Sequence, residues 1–195
     1  MLHRRSVNGV LAAFGMAAAK AARAESAEPQ PHAFILHQNG WMPNNPRLPV
    51  LLYSNVINPS GGDAARAFET VFSANGWPPQ RRNGVFSYQH YHSTAHEVLG
   101  FPRGKAMLML GGENGRAVTV RAGDVLVLPA GIGHCEIDGS DDFLVVGAYP
   151  PDQRRDICSL APVPEARERM AHLPFPDSDP VFGPGGPLTR LWARA

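Results

Sequence analysis

Residues 84–104, GVFSYQHYHSTAHEVLGFPRG, and residues 123–134, GDVLVLPAGIGH, carry the reading of this chain. In the first stretch His90 and His92 stand two apart in a run of aromatic and β-branched residues, Val85–His92, that predicts a strand. Alternate side chains of a strand share a face, so both imidazoles approach one point. The turn Ser93-Thr94-Ala95 leads into a second predicted strand, Glu97–Phe101, whose first residue brings a carboxylate to the same place. His134, just after the Pro129-Ala130-Gly131 turn, adds a third imidazole from the facing wall. Imidazole plus carboxylate suits iron, manganese, nickel, cobalt or zinc, whereas calcium takes more oxygens. His90, His92, Glu97 and His134 are therefore the candidate ligands of one divalent metal ion.

Outward from these stretches, short apolar segments continue: Lys105–Leu110, Ala117–Val120, Val125–Leu128, Glu136–Ile137 and Phe143–Tyr149. Turns rich in Gly separate them at Gly111-Gly112-Glu113-Asn114-Gly115 and Ala122-Gly123-Asp124. Upstream, Phe34–Leu36 and Pro49–Tyr53 read as strands, and the Pro43-Asn44-Asn45-Pro46 stretch between them is expected to stay out of any sheet. Asp63 caps a predicted helix over Ala64–Ala74, with Phe68, Val71 and Phe72 on one face. A second helix is predicted over Pro164–His172, and the Pro- and Gly-rich tail beyond it orders only by packing on the strands. Regular short strands with such turns predict an all-β barrel with short flanking helices.

At 195 residues, with 20 Gly and 19 Pro, the chain suits one domain with tails. A formal charge of +1 with interspersed signs leaves no basic face for a nucleic acid. Cys135 and Cys158 have neither zinc-cluster nor CxxC spacing; one disulfide and two buried free thiols both remain open. The start, His3-Arg4-Arg5 followed by the small apolar run Val10–Ala19 and Ala22-Arg23-Ala24, has the layout of an export signal. It is similar to a twin-arginine signal, and its apolar run is too short to span a bilayer. The expected organisation is a signal over 1–24, a linker over 25–33, the barrel with its N-terminal strands and helix over 34–160, and a C-terminal helix and tail over 161–195. This places the mature chain in the periplasm or outside the cell, free of the membrane; the alternative is an Ala-rich cytoplasmic start.

Two further residues are candidates for the chemistry. Tyr88 shares strand parity with His90 and His92 and would donate its hydroxyl to a substrate oxygen, while Phe86, of the same parity, is expected to fill the core. Glu136 shares parity with His134 and would act as a general base, unless a bulge after Gly133 turns it to solvent. His96 falls on the face opposite Glu97 and is expected to pack or to support the site. Met107, Leu108, Met109 and Leu110 are expected to pack the barrel, and Arg103, Lys105 and Arg121 to be solvated.

The patterns Gly84-x5-His90-x-His92-x4-Glu97-x6-Gly104 and Gly123-x5-Pro129-x-Gly131-x2-His134 resemble the two motifs of the cupin superfamily, with every glycine, ligand and proline in register. Asp138 departs from the second motif, which usually ends in Asn at that place. Gly40–Tyr53 and Gly147-Ala148-Tyr149-Pro150 further resemble a group of single-domain bacterial cupins of uncharacterised function. The resemblance implies a jelly-roll β-barrel binding one divalent ion, with iron, manganese or nickel favoured and zinc or cobalt next. The resemblance stops short of an activity; it is the complete ligand set, leaving about two positions open on an octahedral ion, that points to an enzyme acting on a small oxygen-rich or chelating substrate, by dioxygen insertion or by isomerisation or decarboxylation. The alternative is an exported, non-catalytic cupin that binds a sugar or organic acid. A homodimer, common in cupins, fits either.

Overall fold

The computed structural model describes residues 30–193, so the predicted export signal and most of the linker lie outside the described residues. The strands are β1 (His32–Leu36), β2 (Asn45–Tyr53), β3 (Pro79–Asn83), β4 (Glu97–Arg103), β5 (Lys105–Leu110), β6 (Arg116–Arg121), β7 (Val125–Leu128), β8 (His134–Gly139) and β9 (Leu144–Ala148). Three helices accompany them, α1 (Ala64–Ala74), α2 (Pro164–Ala171) and α3 (Pro187–Trp192), and no described helix is long and apolar enough to cross a membrane. The strands form a six-stranded sheet in the order β1-β2-β7-β4-β9-β3 and a three-stranded sheet in the order β6-β5-β8. Every pairing between them is antiparallel, and the two sheets enclose an apolar interior in the jelly-roll manner.

The period of two decides both faces of the larger sheet. Along β7, Leu126 and Leu128 point inward to meet Val50, Leu99, Phe101, Leu108 and Leu110. Val125 and Val127 point outward to meet Leu51, Tyr53, Val98 and Val146. The outward face is roofed by Phe68 and Phe72 of α1 and by Leu188 and Trp192 of α3. Asp63 caps α1 by accepting the Arg66 N–H at 3.1 Å. Gly100 on β4 admits the helix, since a Cβ there would stand 2.7 Å from the Phe68 ring. Burial of such aromatic and aliphatic side chains contributes about 1.5–3 kcal/mol each. The C-terminal tail is pinned to this face: Asp179 accepts the Tyr53 hydroxyl at 2.5 Å, and Trp192 Nε1 donates to the Pro49 carbonyl at 3.1 Å.

Three local expectations are corrected. Val85–His92 is not a sheet strand: the strand lies earlier, at β3, and beyond Gly84 the chain crosses from β3 toward β8, where it makes only isolated bonds. Glu136 N donates to Phe86 O at 2.9 Å, and His90 and His134 exchange backbone bonds of 3.3 and 2.9 Å. Asn45 and Pro46, expected outside any sheet, begin β2. They are tolerated because β2 meets β7 only from Leu51 to Tyr53, and its pairing with β1 shifts register between Phe34 and Leu36. Met107 and Met109 face outward on the three-stranded sheet, Met107 being 40% exposed and Met109 half-buried, because no described helix covers that sheet's outer face.

Candidate metal centre

The crossing segment, β4 and β8 bring three imidazoles and a carboxylate to one end of the interior. The ligand nitrogens of His90, His92 and His134 all lie within 4.8 Å of one another, and all three residues are buried. Their Nδ1 atoms point away from the cluster, at backbone carbonyls: His90 toward Tyr88 at 3.2 Å, His134 toward Ile132 at 3.1 Å, and His92 toward Asp156. A carbonyl only accepts, so each Nδ1 carries the proton and each Nε2 turns a lone pair inward. Burial first, then the neighbouring imidazoles of His134 and His92, pushes the His90 pKa down to about 3, so this ring stays neutral.

Glu97 opens β4 on the same interior face and is 1% exposed. Its Oε2 stands 3.3 Å from both His92 Nε2 and His134 Nε2. These three atoms are buried and without a hydrogen-bond partner, so neither contact closes as an ion pair with a shared proton. Electron pairs facing each other in a dry site are unfavourable alone and are satisfied by a cation. The other oxygen, Oε1, accepts the Tyr149 hydroxyl at 2.5 Å and the Arg81 guanidinium at 3.4 Å. Burial, then the carboxylate of Glu97, pushes the Tyr149 pKa up and keeps it a donor.

Glycine makes that contact reachable. Arg81 on β3 pairs with Gly147 on β9, and a Cβ on Gly147 would stand 2.9 Å from Arg81 Nε. The bare backbone lets the guanidinium lie across β9 and reach β4. Asp156 supports the opposite side: besides its carbonyl for His92, its carboxylate accepts the Ser93 N–H at 2.6 Å and the Ser93 hydroxyl at 2.5 Å. Arg81, Tyr149 and Asp156 were not singled out from sequence, because each meets its partner from another part of the chain, 16, 52 and 63 residues away. The signal available was Gly147, a glycine at an inward position of an apolar strand, where close backbone approach is the common reason.

The remaining predicted residues are placed as follows. Glu136 stays on the His134 face, because the β8 bulge falls after it: Leu108 pairs with Glu136 and Met107 with Asp138. It is half-buried, with Oε1 over Gly139, where a Cβ would come within 2.6 Å. Tyr88 stands at the rim, 48% exposed, with its ring 5.7 Å from that of His90. Phe86 stacks on Tyr88 at 5.0 Å and is 37% exposed, so it is a rim residue and not a core filler. His96 lies on the outer face, as its parity requires: Nδ1 accepts the Ala130 N–H, the ring packs 4.8 Å from Trp192, and burial pushes its pKa to about 4. Both cysteines are free; Cys158 donates to Asp156 and Cys135 receives Gln89. A cavity of about 480 Å³ between the β1–β2 turn and α2 is lined by Asn44, Arg47, Arg167 and Phe175 among others, and includes none of the four candidate ligands.

A jelly roll with inward histidines and a glutamate defines a class, and comparison with known proteins gives its family. The chain belongs to the cupin family, whose model matches residues 81–160. It is 34% identical over 169 residues to the uncharacterized protein YjlB of Bacillus subtilis (strain 168), covering 86% of this chain and 99% of that one. Among solved structures, it is similar to an oxalate decarboxylase of Bacillus subtilis studied for its Mn(II) centres, at 22% identity and a TM-score of 0.33, covering 64% of this chain and 32% of that one. It is also similar to an 11S globulin from Wrightia tinctoria, at 18% identity and a TM-score of 0.31, covering 40% of this chain and 21% of that one. The chain thus spans about a fifth to a third of these solved chains. The three-histidine grouping fits metal binding.

Proposed function

We propose that this chain is an exported cupin that holds one divalent metal ion with His90, His92, Glu97 and His134 and acts as an enzyme on a small oxygen-rich or chelating substrate. The observation that carries the reading is the convergence of buried, unpartnered acceptors, His92 Nε2, His134 Nε2 and Glu97 Oε2, with every Nδ1 proton committed to a carbonyl. A divalent ion there, with iron, manganese or nickel favoured, supplies Lewis acidity or dioxygen chemistry. The chain's own residues do the rest. The Tyr88, Ile132 and Asp156 carbonyls fix the imidazole tautomers, and Tyr149 with Arg81 fixes the glutamate. In this reading Glu136, on the His134 face, takes a proton from the substrate, and the Tyr88 hydroxyl meets the substrate at the rim. Phe101, Leu108 and Leu110 keep water from the inner side.

Elemental analysis of the untagged protein from its native compartment, beside a His90→Ala/His134→Ala double variant, tests the site. About one equivalent of metal in the wild type and a large loss in the variant is the expected result. Equal metal in both would sink the ligand assignment. Metal-loaded protein is then assayed for oxygen uptake and against aldose and keto-acid panels; a ligand recovered unchanged from tight, metal-dependent binding would replace the enzyme with a binding module. A mature N-terminus directly after Ala24 is the outcome that export requires.

A further inference from the structure

The metal centre carries an unusual pairing for a ligand carboxylate. Arg81 is a permanent cation, its side chain is 15% exposed, and it stands 3.4 Å from the oxygen of Glu97 that faces away from the imidazoles. It is held there by three contacts: Nη1 donates to the Gly84 carbonyl at 2.9 Å, Nη2 reaches Glu97, and the side chain rests on the bare backbone of Gly147. Glu97 brings one negative charge, Arg81 cancels it, and imidazoles that bind a metal ion through Nε2 with Nδ1 protonated bring none. Of the other charged side chains around this wall, Arg155 lies over the Tyr149 ring at 5.7 Å and Glu136 is half-buried on β8, and these two are of opposite sign. Asp156 is engaged by Ser93, which in turn receives Arg169 at 2.8 Å.

A divalent ion entering such a site brings two positive charges that the protein does not compensate. Uncompensated charge in a buried place is strongly unfavourable. Four protein donors leave about two positions open on an octahedral ion, and those positions are where the missing negative charge can enter. We infer that Arg81, laid across Gly147 onto Glu97, makes this an anion-demanding metal site, in which a divalent ion and a small oxyanion bind cooperatively and a neutral polyol does not take the oxyanion's place. This rests on the metal reading above and narrows its substrate class from oxygen-rich compounds in general to carboxylates or phosphates. Arg81 is here a specificity-determining residue, since removing its charge would leave Glu97 to offset half of the ion's charge.

The test is a Mn(II) titration of metal-free full-length protein at constant ionic strength, with free Mn(II) read by electron paramagnetic resonance, in the presence of malonate, inorganic phosphate or glycerol. In the wild type, malonate or phosphate is expected to tighten Mn(II) binding by about tenfold or more, while glycerol changes it by less than about twofold. Whichever anion acts tells carboxylate from phosphate. In Arg81→Met the anion effect falls below about threefold while Mn(II) still binds, and Arg81→Lys keeps most of the effect. An equal anion effect in wild type and Arg81→Met, or a wild type that binds Mn(II) with no anion effect, overturns the inference. If Arg81→Met does not fold, Arg81→Gln, which keeps a donor for Glu97 and loses the charge, takes its place, with the same outcomes expected and overturning. A wild type that takes up no metal overturns the metal reading instead, so the two failures are distinguishable.

Discussion

Two buried carboxylates sit on opposite faces of the six-stranded sheet and differ in one respect. Asp179, 0% exposed on the helix-covered face, and Glu97, 1% exposed on the interior face, each accept a tyrosine hydroxyl at 2.5 Å, from Tyr53 and Tyr149 respectively. Asp179 is then closed by hydrogens on both oxygens: Oδ1 takes the Val181 and Phe182 N–H groups, and Oδ2 takes Leu188 N–H beside Tyr53. Glu97 is closed on Oε1 only, and Oε2 faces nitrogen lone pairs. A carboxylate that organises a fold is surrounded by protons, whereas Glu97 is left one partner short, as the proposed metal ligand would be.

Breaking the closed carboxylate should have the largest effect on stability and none on the site. Asp179→Ala removes the acceptor of four donors at once and frees the tail that carries Leu188 and Trp192. A loss of about 3–5 kcal/mol is expected, since each buried donor left unmade costs about 1–3 kcal/mol and some regain water. Urea unfolding gives the stability, and metal analysis of the folded fraction should match the wild type. Metal lost in step with stability would mean that the two faces are not independent.

The tyrosine pair sharpens the contrast at a smaller scale. Tyr53→Phe and Tyr149→Phe delete the same group from the same kind of bond. Tyr53→Phe is expected to lose about 1.5–3 kcal/mol of stability, the range for a hydrogen bond to a charged group, with metal affinity unchanged. Tyr149→Phe is expected to weaken metal binding by about 10-fold or more through a reoriented Glu97. Isothermal titration of the two variants with one metal decides it, and equal affinities would remove the distinction drawn between the carboxylates.

Most of the strands and the four candidate ligands were legible in the residues, for reasons that can be located, whereas the contrast between the two carboxylates was not. The Val125–Leu128 run reads as a strand, and it is buried on both sides because α1 and α3 cover the outer face. His90 and His92 share a direction even though their segment is not a sheet strand, since extended backbone keeps its period of two without a continuous ladder. The same parity argument placed Phe86 and Tyr88 with the histidines but could not tell interior from rim, which depends on where the chain crosses between sheets. The partners of Glu97 were hidden, as Arg81 and Tyr149 lie 16 residues before and 52 residues after it. The short helix α3 was hidden too: six residues make no periodic signal, and tertiary packing of Leu188 and Trp192 holds it.

Glu69 supplies the exposed end of the comparison and the smallest expected effect. It grips Arg82 through two bonds of 2.6 and 2.7 Å, a tighter geometry than Arg81 makes with Glu97, yet the pair is 33% and 43% exposed. Arg81 and Arg82 are neighbours on β3 and point to opposite faces, so one strand offers a buried and a solvated version of the same ion pair. Water and salt screen the outer one. The Arg82 hydrogen bond holds the Glu69 carboxyl below its usual value, with slight burial opposing. Because the folded-state pKa is the lower, the pair's contribution is present above the unfolded carboxylate range and is lost as pH falls through the folded value. Glu69→Gln should therefore shift the thermal midpoint near neutral pH less than Tyr53→Phe does, converge with the wild type in acid, and leave metal content unchanged. A shift at neutral pH as large as that of Tyr53→Phe, or one that high salt does not shrink, would show that bond geometry outweighs burial in setting what these carboxylates contribute.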